Sequence, residues 1–199
     1  EACKAGGGKV VMQLSHAGRQ TQKLVNPQPD APSAIAVDLP GGQFGTPRAM
    51  TGDDIKRLIE KYAIATKAAR AAGFDGVQIH AAHGYLMSQF LSPLTNQRDD
   101  EWGGSLENRA RLLLVVLKAA KAEAGPAFGV SVKLNSADFQ KGGFTRDDST
   151  AVIGMLNPLG LDFVEISGGN YEQPKMMDME GLKPADNSDA RESTKQREA

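Results

Sequence analysis

The chain has almost no cysteine: Cys3 is the only one among 199 residues. An internal disulfide is thereby excluded, and the expected compartment is a reducing one, the cytoplasm by default. Charge of one sign is also lacking. Lys and Arg number 23, Asp and Glu 24, and the formal net charge is −1. That balance points to neither nucleic acid nor an anionic membrane surface. Long apolar runs are missing too. The longest, Leu112 to Leu117, falls far short of the ~18–20 residues that span a bilayer, and no signal-peptide pattern is visible. Histidine is scarce, with three in all, and no HExxH or cysteine-ligand spacing accompanies them, which argues against zinc. There is no P-loop. Gly6-Gly7-Gly8 precedes a strand instead of opening a helix, so it is no dinucleotide fingerprint.

What is present reads as one soluble globular domain over residues 1–199, with 40% hydrophobic and 24% charged residues. Lys9 to Leu14 (KVVMQL) predicts a buried strand. Ser15 to Met50 is polar and rich in proline and glycine, too long for an ordinary connection, and suggests a functional loop. Thr51 with Asp54 three residues on is a capping pattern, followed by an apolar stripe of Ile55, Leu58, Ile59, Tyr62 and Ala63 and a stop at Gly73. Gly76 to Ile79 predicts the next strand. Ser105 caps a second helix with the stripe Leu112, Val115, Val116 and Ala119, broken by Gly125-Pro126. A strand over Phe128 to Leu134, a Thr145/Asp148-capped helix to about Leu159 and a strand over Asp162 to Ile166 follow, and a further helix begins near Ser188. Alternation of continuous apolar strands with helices argues for a parallel sheet covered by helices. The pattern alone fits an open doubly wound sheet as well as a closed barrel.

The most informative block is residues 80–109, HAAHGYLMSQFLSPLTNQRDDEWGGSLENR. It brings His80, His83 and Tyr85 to the end of a strand, where α/β enzymes keep their chemistry. Imidazoles donate hydrogen bonds to a substrate oxygen, and a phenol delivers a proton. A polar strand-end pair satisfied by backbone, or half of a metal site, fits the bare H-x-x-H equally well. A lone tyrosine after glycine is more often packing than chemistry. Lys133 is a cation inside the apolar strand F-G-V-S-V-K-L, on the face opposite Val130 and Val132, and must meet an anion or water. The alternative is a strand-end lysine snorkelling to solvent. Gln13 ends the first strand, where a glutamine is often merely solvated. Asn96, Arg98, Asp99, Trp102, Gly103 and Gly104 read as a structural loop, and Glu107 and Arg109 as surface pairs of small value. The roles of His16 and Arg19 stay open, and Met176, Met177 and Met179 fit either a substrate rim or gap-filling.

Val11 to Arg19 (VMQLSHAGR), the 80–109 block, Val132-Lys133-Leu134-Asn135 and Glu165-Ile166-Ser167-Gly168-Gly169 together resemble the old yellow enzyme family of FMN-dependent ene-reductases. The resemblance selects a (β/α)8 TIM barrel, of which this chain holds about four central strand–helix units. It implies FMN and NAD(P)H as cofactors and a small enone or nitro compound as substrate. It implies that His80 and His83 hold the substrate oxygen, that Tyr85 protonates the α-carbon, that Gln13 meets the pyrimidine edge of the flavin, and that Lys133 stands near flavin N1 and O2. The family generally carries Arg at the Lys133 position, and some members carry Asn where this chain has His83. Cys3 does not match the family's flavin-tuning cysteine, which belongs to an earlier strand. The phosphate-binding strands of such barrels are not among these residues, so the segment alone is expected to hold FMN weakly or not at all, and its open sheet edges favour association, as in a homo-oligomer, or poor folding. Two other readings remain at this point: a metal-dependent barrel enzyme using His80 and His83, and a non-catalytic segment.

Overall fold

The computed structural model describes residues 2–173. Its centre is a parallel four-stranded sheet built, in spatial order, from β1 (Val11–Leu14), β4 (Gly76–Ala81), β5 (Gly129–Asn135) and β6 (Val164–Ser167). The long connection after β1 carries β2 (Asp30–Ala31) and β3 (Arg48–Ala49), which pair with each other in a small separate sheet. Helices α1 (Gly52–Ala71), α3 (Leu106–Ala124) and α4 (Arg146–Leu156) follow strands in the expected places. A short helix, α2 (Leu86–Leu91), is absent from the sequence-based expectation. Its residues are buried throughout, so it has no polar face and shows no amphipathic period. The helix expected near Ser188 and the three methionines Met176, Met177 and Met179 lie outside the described residues.

Local chemistry sets the helix starts. Thr51 Oγ1 accepts from the Asp54 N–H (3.1 Å) while Asp54 Oδ2 accepts from the Thr51 N–H (2.9 Å). Thr145 and Asp148 repeat the reciprocal bond at the head of α4. Ser105 Oγ caps α3 through the Asn108 N–H. Each cap satisfies donors that no helical carbonyl reaches. Gly73, with φ +84°, ends α1 in a conformation that glycine adopts without a Cβ clash.

The core lies between one face of the sheet and the helices. Val77, Ile79, Val130, Val132 and Leu134 point into it and are completely buried. On α3 the buried stripe is Leu112, Leu113, Val116, Leu117 and Ala120. Val115 and Ala119, expected on that stripe, are only half-buried, and the buried face is centred instead on the side that includes Leu113 and Leu117. Strand β4 also runs past the predicted end, through His80 to Ala81, since its pairing with β5 continues as His80↔Lys133 and Ala81↔Leu134. Helix α4 ends at Leu156 and is completed by a 3-10 turn over Asn157–Leu159. Among the described residues no helix is long and apolar enough to cross a membrane.

Leu112 has no exposed surface, and truncating it leaves a cavity that rigid neighbours fill only in part. Leu112→Ala should therefore destabilise the fold by about 2–5 kcal/mol, read as a lower denaturant midpoint at unchanged slope.

Candidate active site

Strand alternation sends the opposite side chains of the sheet to a second, polar face. Because the strands are parallel and in register, partners across the ladder share that face. Gln13 stands beside Gln78, and Gln78 beside Ser131. His80 stands beside Lys133, and Lys133 beside Glu165. The side chains connect into one row. Gln13 Nε2 donates to Gln78 Oε1 (2.7 Å), Gln78 Nε2 donates to Glu165 Oε2 (3.0 Å), and Lys133 Nζ meets Glu165 Oε1 at 2.8 Å. Lys133 thus meets an anion on the sheet itself. The pair and the Gln78 bond hold the Glu165 carboxyl below the usual glutamate range.

At the carboxyl end of β4 the chain turns sharply, and three rings converge. His80 lies edge-on to His83, with centroids 5.1 Å apart, and edge-on to Tyr85 at 4.9 Å. The Ala82 N–H donates to His80 Nδ1 (3.2 Å), which leaves the His80 proton on Nε2 and makes that atom a donor. Burial, then the neighbouring His83 and Lys133, push His80 down to about 4. His83 is lowered too, by burial and then Lys133. Both rings are neutral at pH 7.

His83 sits at φ +61°, a left-handed conformation that a non-glycine residue adopts only when its surroundings impose it. Four contacts do so. Its N–H donates to Asn135 Oδ1 (3.2 Å), its carbonyl accepts from Gln20 Nε2 (3.1 Å), its ring Nε2 pairs with Ser167 Oγ (2.6 Å), and its backbone bridges to Asn170. Asn135 is itself held by Asp138 and by the Gly169 carbonyl. Burial raises the Asp138 carboxyl above the ordinary aspartate range, while Asn135 acts in the opposite direction.

Tyr85 stands at the residue before α2, and its hydroxyl lies 2.5 Å from that of Tyr171. Burial and then the Tyr171 hydroxyl push the Tyr85 phenol up to about 12, so it carries its proton throughout the neutral range. Phe44, from the loop after β1, lies tilted beside Tyr171, with ring centroids 6.4 Å apart. Sequence reasoning misses Tyr171; its only signal is a position just past the Gly168-Gly169 turn that ends β6.

The stitching residues escape it as well. Gln89, fully buried on α2, accepts from the Arg19 N–H (3.2 Å) and donates to the carbonyls of Ala17 (3.3 Å) and Gly84 (2.6 Å). A Cβ on Gly18 would come within 2.3 Å of that amide, so the glycine of the H-A-G-R motif is required by close approach. Gln89 thereby ties the loop after β1 to the loop after β4. Arg19 is buried and pairs with Glu172, which also accepts from the Asp38 N–H (2.8 Å). His16 is not aimed at the three rings: its Nδ1 accepts from the Gly18 N–H, and burial lowers its pKa. Asn96 and Arg98 do serve the loop, the former bonding the Phe90 and Trp102 carbonyls and the latter those of Pro32 and Met50. Arg109 is not the surface residue that its helix predicts. It is buried, donates to the carbonyls of Leu91 and Gly104, and lies 3.8 Å from Asp148. The carbonyl that ends α2 needs a donor, and the helical stripe on α3 gives no sign of it.

Known proteins share this arrangement of strands and loops. The profile of the NADH:flavin oxidoreductase / NADH oxidase family matches residues 1–192. The chain belongs to that family. An NADH-dependent flavin oxidoreductase of Aspergillus parasiticus is 42% identical over 173 residues, 86% of this chain and 39% of the relative. Among solved structures, a 2-naphthoyl-CoA reductase in complex with 2-naphthoyl-CoA superposes with a TM-score of 0.82 at 32% identity, covering 87% of this chain and 28% of that one. An old yellow enzyme homologue from Zymomonas mobilis superposes with a TM-score of 0.72 at 34% identity, covering 89% of this chain and 55% of that one. The chain therefore spans well under two thirds of these relatives, and its four-stranded sheet is part of their (β/α)8 barrel. Among the described residues no three His, Cys, Asp or Glu side chains group as metal ligands.

The depressed pKa of His80 makes stability depend on pH. Its folded value is near 4, against about 6.5 in an unfolded chain. The unfolded state binds the proton more readily, so stability falls as pH drops from about 6.5 toward 4. His80→Gln should flatten that segment of the pH–stability curve, and the His80 ring signal in proton NMR should stay at its neutral position down to about pH 5.

Proposed function

We propose that this chain carries the substrate-facing residues and one flavin edge of an FMN-dependent oxidoreductase. Its substrate is the activated C=C of a small α,β-unsaturated carbonyl or nitro compound, and its reductant NADH or NADPH. The observation that carries this reading is the convergence of neutral His80, His83 and protonated Tyr85 above a polar sheet face that holds Gln13 and Lys133. The donor set fits an isoalloxazine edge. Gln13 uses an N–H on Gln78 and keeps its carbonyl oxygen as an acceptor, which suits a ring N–H, and Lys133 supplies a cation for the electron-rich side. When bound, FMN supplies to the β-carbon a hydride taken from the nicotinamide.

The protein residues do the rest. His80 Nε2–H, free to donate because Nδ1 is occupied by the Ala82 N–H, holds the substrate oxygen and stabilises the negative charge that grows there. His83, fixed by its four contacts and with Nε2 paired to Ser167 Oγ, would give the same oxygen its other ring nitrogen as a donor. Neutral rings suit this role, because a charged imidazolium here would be repelled by the Lys133 ammonium. Tyr85 gives its proton to the α-carbon. A high phenol pKa keeps the donor loaded, and the bond to Tyr171 fixes its direction.

Tyr85→Phe in the full-length, FMN-loaded protein should leave reduction of FMN by NAD(P)H intact. It should slow reoxidation by cyclohexenone by about 10²–10⁴-fold. Anaerobic stopped-flow absorbance near ~450 nm reads both half-reactions, and equal slowing of the two would sink the assignment of Tyr85 as acid.

A further inference from the structure

Folding asks only that Lys133 meet an anion or water, and substrate binding makes no use of the Glu165 carboxylate. An ion pair this open to water adds little stability, and Glu165 is nearly half exposed. A neutral side chain at 165 would still serve the Gln78 amide. Yet both carboxylate oxygens are committed, one to Lys133 Nζ (2.8 Å) and one to Gln78 Nε2 (3.0 Å). The register leaves no freedom: Glu165 is the β6 partner of Lys133, which is the β5 partner of His80. The lysine that faces the proposed flavin edge is therefore a cation already neutralised by its neighbour in the sheet.

We infer that Glu165 is a charge-balancing residue, which acts through Lys133 to keep the bound FMN at a lower reduction potential than an unpaired lysine would give. The inference rests on the flavin reading above. Uptake of a hydride by the isoalloxazine breaks the C–H bond of the nicotinamide, leaves NAD(P)+ and adds one negative charge to the flavin, concentrated on its pyrimidine side. A lone cation beside that edge favours the reduced form. A cation paired with an anion favours it less, because the two fields largely cancel at the flavin. The weaker preference makes the reduced cofactor a more willing hydride donor to an electron-poor C=C. The same cancellation acts on the imidazoles: Lys133 lowers the pKa of both His80 and His83, and Glu165 opposes it at both.

The test uses the full-length, FMN-loaded protein and its Glu165→Gln, Lys133→Gln and doubly substituted forms. Midpoint potentials are measured by equilibration with a reference dye. Glu165→Gln should move the oxidised–reduced equilibrium toward reduced flavin by about tenfold, roughly 30 mV for a two-electron couple. Lys133→Gln should move it the opposite way, and the double variant should return to within about a factor of two of the wild type, roughly 9 mV. In the flavin-free protein, Glu165→Gln should lower the NMR titration midpoint of His80 further. If Glu165→Gln fails to load FMN, the His80 midpoint in the flavin-free variant reads the same balance, and a midpoint that does not fall overturns the inference. A potential indifferent to Glu165→Gln, or lowered by it, overturns this inference alone. A full-length protein that takes up no FMN overturns the flavin reading and this inference together.

Discussion

The parallel register of β4 against β5 is the constraint from which the site follows. It sets His80 beside Lys133 and Gln78 beside Ser131, and β1 and β6 extend the same rows to Gln13 and Glu165. A slip of one residue would turn Gln78 and His80 into the helix-covered core and expose Val77 and Ile79. Completely buried valine, isoleucine and leucine on one face make that slip prohibitive. Apolar packing on one side of the sheet thus specifies which polar side chains meet on the other.

Above that face, buried amides do the positioning. Gln89 joins the loops after β1 and β4 through three bonds, and Asn135 joins the His83 backbone to Asp138 and the Gly169 carbonyl. An amide offers donor and acceptor together, so one buried side chain satisfies several loop groups that would otherwise be costly. The left-handed His83 is stable only because this network surrounds it. The Arg19–Glu172 pair and the Phe44–Tyr171–Tyr85 ring series similarly bind the long loop after β1 to the turn after β6.

Strand and helix order is legible in the sequence, because period and capping chemistry are local. Thr51, Ser105 and Thr145 announce helix starts through bonds made within three residues. The apolar strands announce a covered parallel sheet. Lys133 is legible as a residue needing an anion, since a cation in an apolar strand has few alternatives. Its actual partner is not, because Glu165 is brought in by pairing between strands well separated in the chain. Helix α2 is hidden for the opposite reason: burial on every side removes the period that would mark it. Arg109 is misread because its acceptors, the Leu91 and Gly104 carbonyls, belong to a loop whose path the sequence does not show.

Sequence by itself determined the alternation of strands and helices, the strand-end placement of His80, His83 and Tyr85, and the family these blocks mark. Each rests on short-range spacing or on a contiguous motif. Tertiary structure decided the rest: the neutral state of the two imidazoles, the contact between the Tyr85 and Tyr171 hydroxyls, the Glu165 counter-charge on Lys133 and the left-handed turn at His83. These depend on burial and on fields between residues far apart in the chain, quantities that exist only once the sheet has fixed its register.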